Sequence, residues 1–454
     1  MFELELSLLI LLIITLIAAF GFEFVNGFHD TANAVATVIY TNSLSPVPAV
    51  IWSGFWNMMG VLLGGIGVAM GIVDLLPLDL QVGLSAKEGV LMVMALLSSA
   101  IAWNIGTWYY GIPCSSSHTL IGSILGVGLA YSMLPNQVFG SGVNWGKAGE
   151  IGISLLLSPL IGFSLSALLL ILAKKLIKNP ALFKEPEKDK RPPMWIRIIL
   201  LLTCTGVSYA HGNNDGQKGV GLVMLILICS LPTIYAINSK SDNYKKLPTS
   251  IQVIAQELKK PNLTIAPEQL EKANKSITNV TELLKEDTET KKAQNAKVLR
   301  MEVSNLVKAL KSVSNDSKEF TTAYAEIRDV IHYSPLWVVI AISLCLGIGT
   351  MIGYKRIVIT IGEKIGKTHM TYSQGASAEL VAATTIAFSS SYSLPVSTTQ
   401  ILSSGVAGTM LANDGTQNLQ MGTLRNIFLA WVLTFPVTVV LSMIFFFLYR
   451  MLFL

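Results

Sequence analysis

Charge is what this chain has least of. Asp, Glu, Lys and Arg together make up 13% of its 454 residues, about half the ~25% of a soluble domain, and that deficit excludes an ordinary soluble protein. Residues 6–22, 89–146, 151–173, 220–239, 330–354, 380–413 and 426–449 carry no charge at all, and most of these runs equal or exceed the ~20 residues one helical crossing of a bilayer needs. The default class is therefore a polytopic membrane protein. Cysteine is sparse as well: Cys114, Cys204, Cys229 and Cys345 lie in or beside apolar runs without metal-ligand spacing, which excludes a soft-metal centre and leaves them as small hydrophobes. No basic residue precedes Lys87, so the first apolar run lacks the basic flank of a cleaved signal and reads as a retained helix. Glu3 and Glu5 ahead of it favour an external N-terminus.

The charge that is present is concentrated. Of 33 Lys and Arg residues, eight lie in 174–197 and sixteen in 237–334, so the net charge of +5 reflects two polar segments outside the membrane and does not point to nucleic acid. Basic loops stay on the cytoplasmic side, and both segments are expected there. Within the second, Val298, Met301, Leu306, Leu310 and Val313 recur at three to five residues among Lys, Glu and Asn, the pattern of an amphipathic helical hairpin or small bundle.

Two pairs of stretches match in the same order. "NGFHDTANAVA" (26–36) and "HGNNDGQKGVG" (211–221) share a Gly, an Asp three residues later and a Val five beyond that. "PCSSSHTLIGSILG" (113–126) and "PVSTTQILSSGVAG" (395–408) share a Pro, three consecutive hydroxyl residues and a Gly thirteen positions after the Pro. Asp30 to Pro113 is 83 residues and Asp215 to Pro395 is 180; the excess is the size of the lysine-rich segment, so the second half is the first with a soluble domain inserted. The expected order is a first membrane repeat (1–173), a basic cytoplasmic linker (174–197), the first part of a second repeat (198–236), a soluble helical insert (237–334) and the remainder of the second repeat (335–454).

Duplicated halves are how many secondary transporters are built, with sites near the midplane where interrupted helices meet. Residues 6–41 would span ~54 Å as one straight helix, against a hydrocarbon core of ~30 Å, so a break is expected at Gly27. "HGNND" is expected to interrupt 198–239 likewise, as a hairpin around Asn213. The expected fold is all-α and polytopic: two inverted repeats with discontinuous helices and re-entrant hairpins, about 10 to 12 membrane segments, plus the small helical insert. The sequence shows the duplication; the inverted orientation rests on transporter precedent.

The motifs carry chemistry. Ser115, Ser116 and Ser117 follow Pro113, and Ser397, Thr398 and Thr399 follow Pro395, each opening an uncharged run as a helix N-terminus does. Free N–H groups and the positive end of the helix dipole make such a terminus an anion site without a basic side chain, and two facing each other, with Thr119 beside the first, form a cradle for a tetrahedral oxyanion. Simple capping or helix-to-helix hydrogen bonding is the alternative. Asp30 and Asp215, with Asn33, Asn213 and Asn214, supply hard oxygen ligands suited to a small cation; local pairing of Asp215 with Lys218 is the alternative there. An anion cannot accumulate against an inside-negative potential unaided, at roughly 2.3 kcal/mol per charge per 100 mV, and bound cations would neutralise it. His29, His118 and His211 read as donors around the site or as packing. Glu379, the one charge between Thr371 and Asn413, is a functional candidate by default, although its counterpart in the first half is Leu97.

These residues resemble the inorganic phosphate transporters (PiT family), whose paired signature is a Gly-x-Asn-Asp motif near the start of each half, with an Asn three residues on, and a Pro-x-Ser-Thr-Thr-like segment in each. "HGNND", "PVSTT" and "PCSSSH" look like those motifs, across both membrane halves but not the insert. The resemblance implies cation-coupled phosphate uptake, an inverted repeat, a cytoplasmic loop in the second half and homodimerisation. Three positions depart from the pattern: His29 replaces an Asn, Gln400 replaces the His that His118 keeps, and Lys218 stands opposite Asn33, where it either takes the place of one bound cation or snorkels.

The expected function is a multi-pass carrier of the cell membrane that imports inorganic phosphate with sodium ions by alternating access, using no organic cofactor. A proton-coupled phosphate or sulfate permease is the alternative. A membrane hydrolase is disfavoured, because an enzyme needs one nucleophile and not two matched hydroxyl clusters; a channel would not concentrate its substrate.

Overall fold

The computed structural model describes residues 5–187, 190–260, 265–285, 289–311, 313 and 317–454, with the side chains of all but 31–33, 289–290 and 292–293. Asn33 therefore lies on a described helix with its side chain outside the described residues. In chain order the helices are α1 (Leu6–Tyr40), α2 (Pro46–Leu63), α3 (Gly67–Val73), α4 (Ala86–Tyr109), α5 (Ser116–Ser132), α6 (Trp145–Leu176), α7 (Met194–Ser230), α8 (Pro232–Tyr235), α9 (Asp242–Glu257), α10 (Pro267–Leu284), α11 (Glu289–Leu310), α12 (Lys318–Ile331), α13 (Leu336–Thr350), α14 (Lys355–Glu363), α15 (Tyr372–Ser391), α16 (Thr398–Asp414) and α17 (Met421–Phe453). Among the described residues there is no strand, only an isolated bridge between Gly366 and Leu419. The chain divides into two compact units: Met1–Pro77 with Val90–Val223 and Leu336–Leu454, and Leu78–Gly89 with Met224–Pro335.

Among the described residues α1, α2, α4, α6, α7 and α17 are long and apolar enough to cross a membrane. Their outward faces are apolar, as lipid requires: Leu156 and Leu160 on α6 and Phe428 on α17 are each at least 60% exposed. α5 and α16 have 17 residues each, ~26 Å of rise, short of a full crossing.

The break expected at Gly27 and the hairpin expected around Asn213 are absent: α1 runs unbroken for 35 residues and α7 for 37. The glycines serve close helix packing instead. A Cβ on Gly27 would lie 2.4 Å from the Leu346 carbonyl oxygen of α13, and one on Gly212 would lie 2.1 Å from the Asn57 carbonyl oxygen of α2. So α13 is pressed onto α1 as α2 is pressed onto α7.

Interruption occurs at the hydroxyl motifs. Residues 110–115 between α4 and α5, and 392–397 between α15 and α16, are not helical; Pro113 and Pro395 cannot continue a helix from the preceding turn. At matching places in these segments Gly111 (φ +67°) and Ser393 (φ +59°) both take the left-handed conformation. The short helices are then held crosswise. A Cβ on Gly126 of α5 would lie 2.3 Å from the Val439 carbonyl oxygen of α17, and one on Gly408 of α16 would lie 2.2 Å from the Phe163 carbonyl oxygen of α6. Each half's short helix is clasped by the other half's last helix.

In the second unit, Leu247, Ile251 and Ile254 of α9, Val280 of α10, Leu299, Val303 and Leu306 of α11, and Ile327 of α12 share one buried core. Leu306 and Leu310 are buried as the sequence pattern expected, but Val298 is 47% exposed: the inward stripe runs through Ala296, Leu299, Val303, Leu306 and Leu310, one residue round the helix from Val298. Arg300, also buried, donates to the carbonyls of Ala236 (2.8 Å) and Ile331 (3.1 Å), and so ties α11 to the C-terminal ends of α8 and α12.

Candidate functional site

The site forms where α1 and α7 meet the first turns of α5 and α16. Each short helix starts the same way: Ser115 caps α5 by accepting the His118 N–H at 3.2 Å, and Ser397 caps α16 by accepting the Gln400 N–H at 3.2 Å. Capping fixes the next two hydroxyls of each cluster, and these reach the aspartates.

Asp30 on α1 accepts from Ser116 at 2.9 Å on one oxygen and from Thr399 at 2.6 Å on the other. Asp215 on α7 accepts from Thr398 at 3.3 Å and from the Lys218 ammonium at 2.6 Å. Both carboxylates are at most 1% exposed. Unpaired charge in such a place is very unfavourable, and the surrounding donors offset it. The Lys218 ammonium also donates to Ser117 Oγ at 2.5 Å and to the Val396 carbonyl at 3.0 Å, and Ser117 Oγ donates to that same carbonyl at 2.7 Å.

His211 sits between the aspartates, its Nε2 3.3 Å from Asp215 and 3.8 Å from Asp30, and its Nδ1 2.9 Å from Asn57 Oδ1. Asn57 in turn donates to Thr350 at 3.0 Å. His29 lies 3.3 Å from Asp30 through Nδ1 and 3.3 Å from Thr107 through Nε2. Asp30, His211 and Asp215 offer ligand atoms all within 4.8 Å of one another, close enough to share an ion or a proton. Two carboxylates and one ammonium leave an excess negative charge when His211 is neutral.

Not every residue singled out in the sequence joins this cluster. Asn214 fastens the segment before α16, donating to Ser390 Oγ and the Leu394 carbonyl and accepting the Val396 N–H. Asn213 accepts from Gln217 at 2.8 Å; two residues from Asp215 on a helix, it faces another way. The Thr119 hydroxyl donates to the Ser115 carbonyl one turn back, at 3.0 Å. The imidazole of His118 lies 2.8 Å from Ser115 Oγ, and Gln400 is buried beside the cap of α16. Glu379, on α15, accepts from Thr37 of α1 and from Thr203 of α7, the latter at 2.5 Å. Thr37 lies two turns, ~10 Å, along α1 from Asp30, so this carboxylate is a separate buried group.

Glu23 had no expected role, and His211, expected only as a donor around the site or as packing, lies at its centre. His211 is four residues before Asp215, the spacing that puts two side chains on one helix face, and that was the available signal. Glu23, seven residues before Asp30, is fully buried; one oxygen accepts from Asn26 at 3.2 Å, and the other lies where a Cβ on Gly219 would come within 2.4 Å.

A helical multi-pass membrane protein whose two matched halves each bring an aspartate and a hydroxyl-capped helix to one buried cluster is built as a transport protein. The chain belongs to the phosphate transporter family, whose model matches residues 26–442. It is 39% identical to a low-affinity inorganic phosphate transporter of Buchnera aphidicola subsp. Acyrthosiphon pisum and 38% identical to the low-affinity inorganic phosphate transporter PitB of Escherichia coli, in each case over 95% of both chains. Its relatives are named as transporters, not enzymes. Among solved structures it resembles one described as the sodium-dependent phosphate transporter, with a TM-score of 0.57 and 21% identity, covering 98% of this chain and all of the other; that likeness concerns the fold.

Proposed function

We propose that this chain is a secondary active transporter that imports inorganic phosphate together with cations by alternating access between two inverted repeats. One observation carries the reading: the hydroxyls opening α5 and α16 converge on two buried aspartates, one from each half, and among the described residues no arginine contacts them. Amide and hydroxyl dipoles at two helix starts can hold a phosphate through its oxygens, and a site without guanidinium groups can let it go again. With His211 neutral the cluster carries excess negative charge, and a phosphate then enters only with positive charge beside it. Ser115, Ser116, Ser117, Ser397, Thr398 and Thr399 form the phosphate cradle, while Asp30 and Asp215 hold the positive charge beside it. Their present hydroxyl bonds open when substrate arrives.

Sodium is the coupling ion the family resemblance implies. A second reading, protons, is favoured by the imidazoles of His29 and His211, whose ring nitrogens lie 3.3 Å and 3.8 Å from Asp30, because an imidazole can carry a proton to and from a carboxylate. The protein lies in the cell membrane as a homodimer, with the basic linker and the helical insert cytoplasmic. Labelled phosphate uptake into proteoliposomes, with a sodium gradient, with a pH gradient, and with sulfate as competitor, tests the substrate and the coupling ion. Uptake driven by sodium supports the first reading and uptake driven by pH alone the second; sulfate uptake without phosphate uptake rejects the substrate.

A further inference from the structure

The hydroxyl links to the two aspartates correspond between the halves, and the place where these links part is Lys218. The links within each half match: Ser116 donates to Asp30 at 2.9 Å, and Thr398, its counterpart, donates to Asp215 at 3.3 Å. The links between halves do not. Thr399 donates directly to Asp30 at 2.6 Å, but its counterpart Ser117 meets Asp215 through the Lys218 ammonium, 2.5 Å from the hydroxyl and 2.6 Å from the carboxylate. The matching position in the first half is Asn33.

The ammonium has three protons and three acceptors: a carboxylate, a hydroxyl and the Val396 carbonyl at 3.0 Å. Each donor is therefore satisfied. These oxygens are also the types that a small hard cation takes as ligands. Lys218 is 2% exposed, so its head group is held in the protein and does not snorkel to a membrane surface.

We propose that the Lys218 ammonium is a tethered counter-ion, filling in the second half the position a dissolved coupling cation would take, so that Asp215 recruits no cation from solution. The inference rests on the transport reading above and deepens it: coupling runs through the Asp30 side alone, and each cycle carries one cation fewer than a chain with Asn at position 218.

Counting bound cations tests this. The purified full-length protein is titrated with radioactive sodium at equilibrium in the presence of phosphate, as wild type, Lys218→Asn and Lys218→Arg. Lys218→Asn is expected to bind one more sodium ion per protomer than wild type, and Lys218→Arg, which keeps the charge, the same number as wild type. In uptake, Lys218→Asn should gain a steeper sodium dependence, its Hill coefficient rising by about one. An unchanged sodium count in Lys218→Asn overturns the proposal whether or not that variant transports, and so does an extra ion in Lys218→Arg. Lys218→Gln is read by the same count if Lys218→Asn loses its monodisperse peak. A wild type that takes up no phosphate would instead reject the transport reading, which the sodium count leaves separate.

Discussion

Thr399 on α16 donates its hydroxyl to Asp30 on α1 at 2.6 Å, across 369 residues of sequence. With the Ser116 bond from α5, it makes Asp30 the point where both short helices are tied to one carboxylate. Thr399→Val keeps the branched shape and removes the donor. A hydrogen bond to a charged group contributes roughly 1.5–3 kcal/mol, so initial rates of labelled phosphate uptake should fall by about tenfold or more, with the protein still folded. A wild-type rate would remove Thr399 from the site.

Asp30→Asn and Asp215→Asn should each abolish coupled uptake, and near-normal rates in both would reject their assigned role. They should differ in stability. Asp215→Asn leaves a buried ammonium without its carboxylate, a loss of about 3–5 kcal/mol when one partner of a buried pair is removed, whereas Asp30 has hydroxyl and imidazole neighbours that an amide can still engage. Thermal unfolding followed by loss of the monodisperse peak should therefore rank Asp215→Asn below Asp30→Asn.

Gly111 and Ser393 invite a reciprocal exchange. Both hold the left-handed conformation, which disfavours a side chain by about 1–2 kcal/mol and suits glycine. Gly111→Ser should lower the melting temperature, while Ser393→Gly should leave it unchanged or raise it. Equal losses from both would mean that the two segments do not share a backbone requirement.

Glu326 in α12 gives the second unit a pH response. The Ser250 hydroxyl at 2.6 Å, and then Lys246 at 3.2 Å, hold its carboxyl below the ordinary glutamate range. A depressed folded-state value stabilises above the unfolded pKa, here ~4.3, and that contribution is lost as pH falls through the folded value. Proteolytic protection of α9 and α12 should weaken as pH falls below the unfolded value, and Ser250→Ala should flatten the change. An identical pH profile in that variant would reject the assignment.

The membrane class, the helical character and the paired hydroxyl starts were legible because they are local: long uncharged runs, and Pro followed by three hydroxyls. The partners were not. Gly27 and the "HGNND" stretch around Asn213 read as interruptions of over-long apolar runs, yet a glycine under a neighbouring backbone has the same letter as one in a turn. Asn213 and Asn214 looked equivalent to Asp215 as ligands, and only the 100° step of an α-helix separates them. Val298 misled in the same way by one residue. That Lys218 reaches Ser117, 101 positions away, follows from how α5 enters the cluster, which no spacing along α7 encodes.

The crosswise clasp of the short helices bears on how the molecule is made. Gly126 of α5 rests against Val439 of α17, far later in the chain, so the groove that receives α5 does not exist until α17 has been made. The first repeat, although it is an early and self-similar part of the chain, must wait in the membrane with its short helix unclasped. A ribosome that stops before α17 would leave every motif in place and α5 with nothing to hold it.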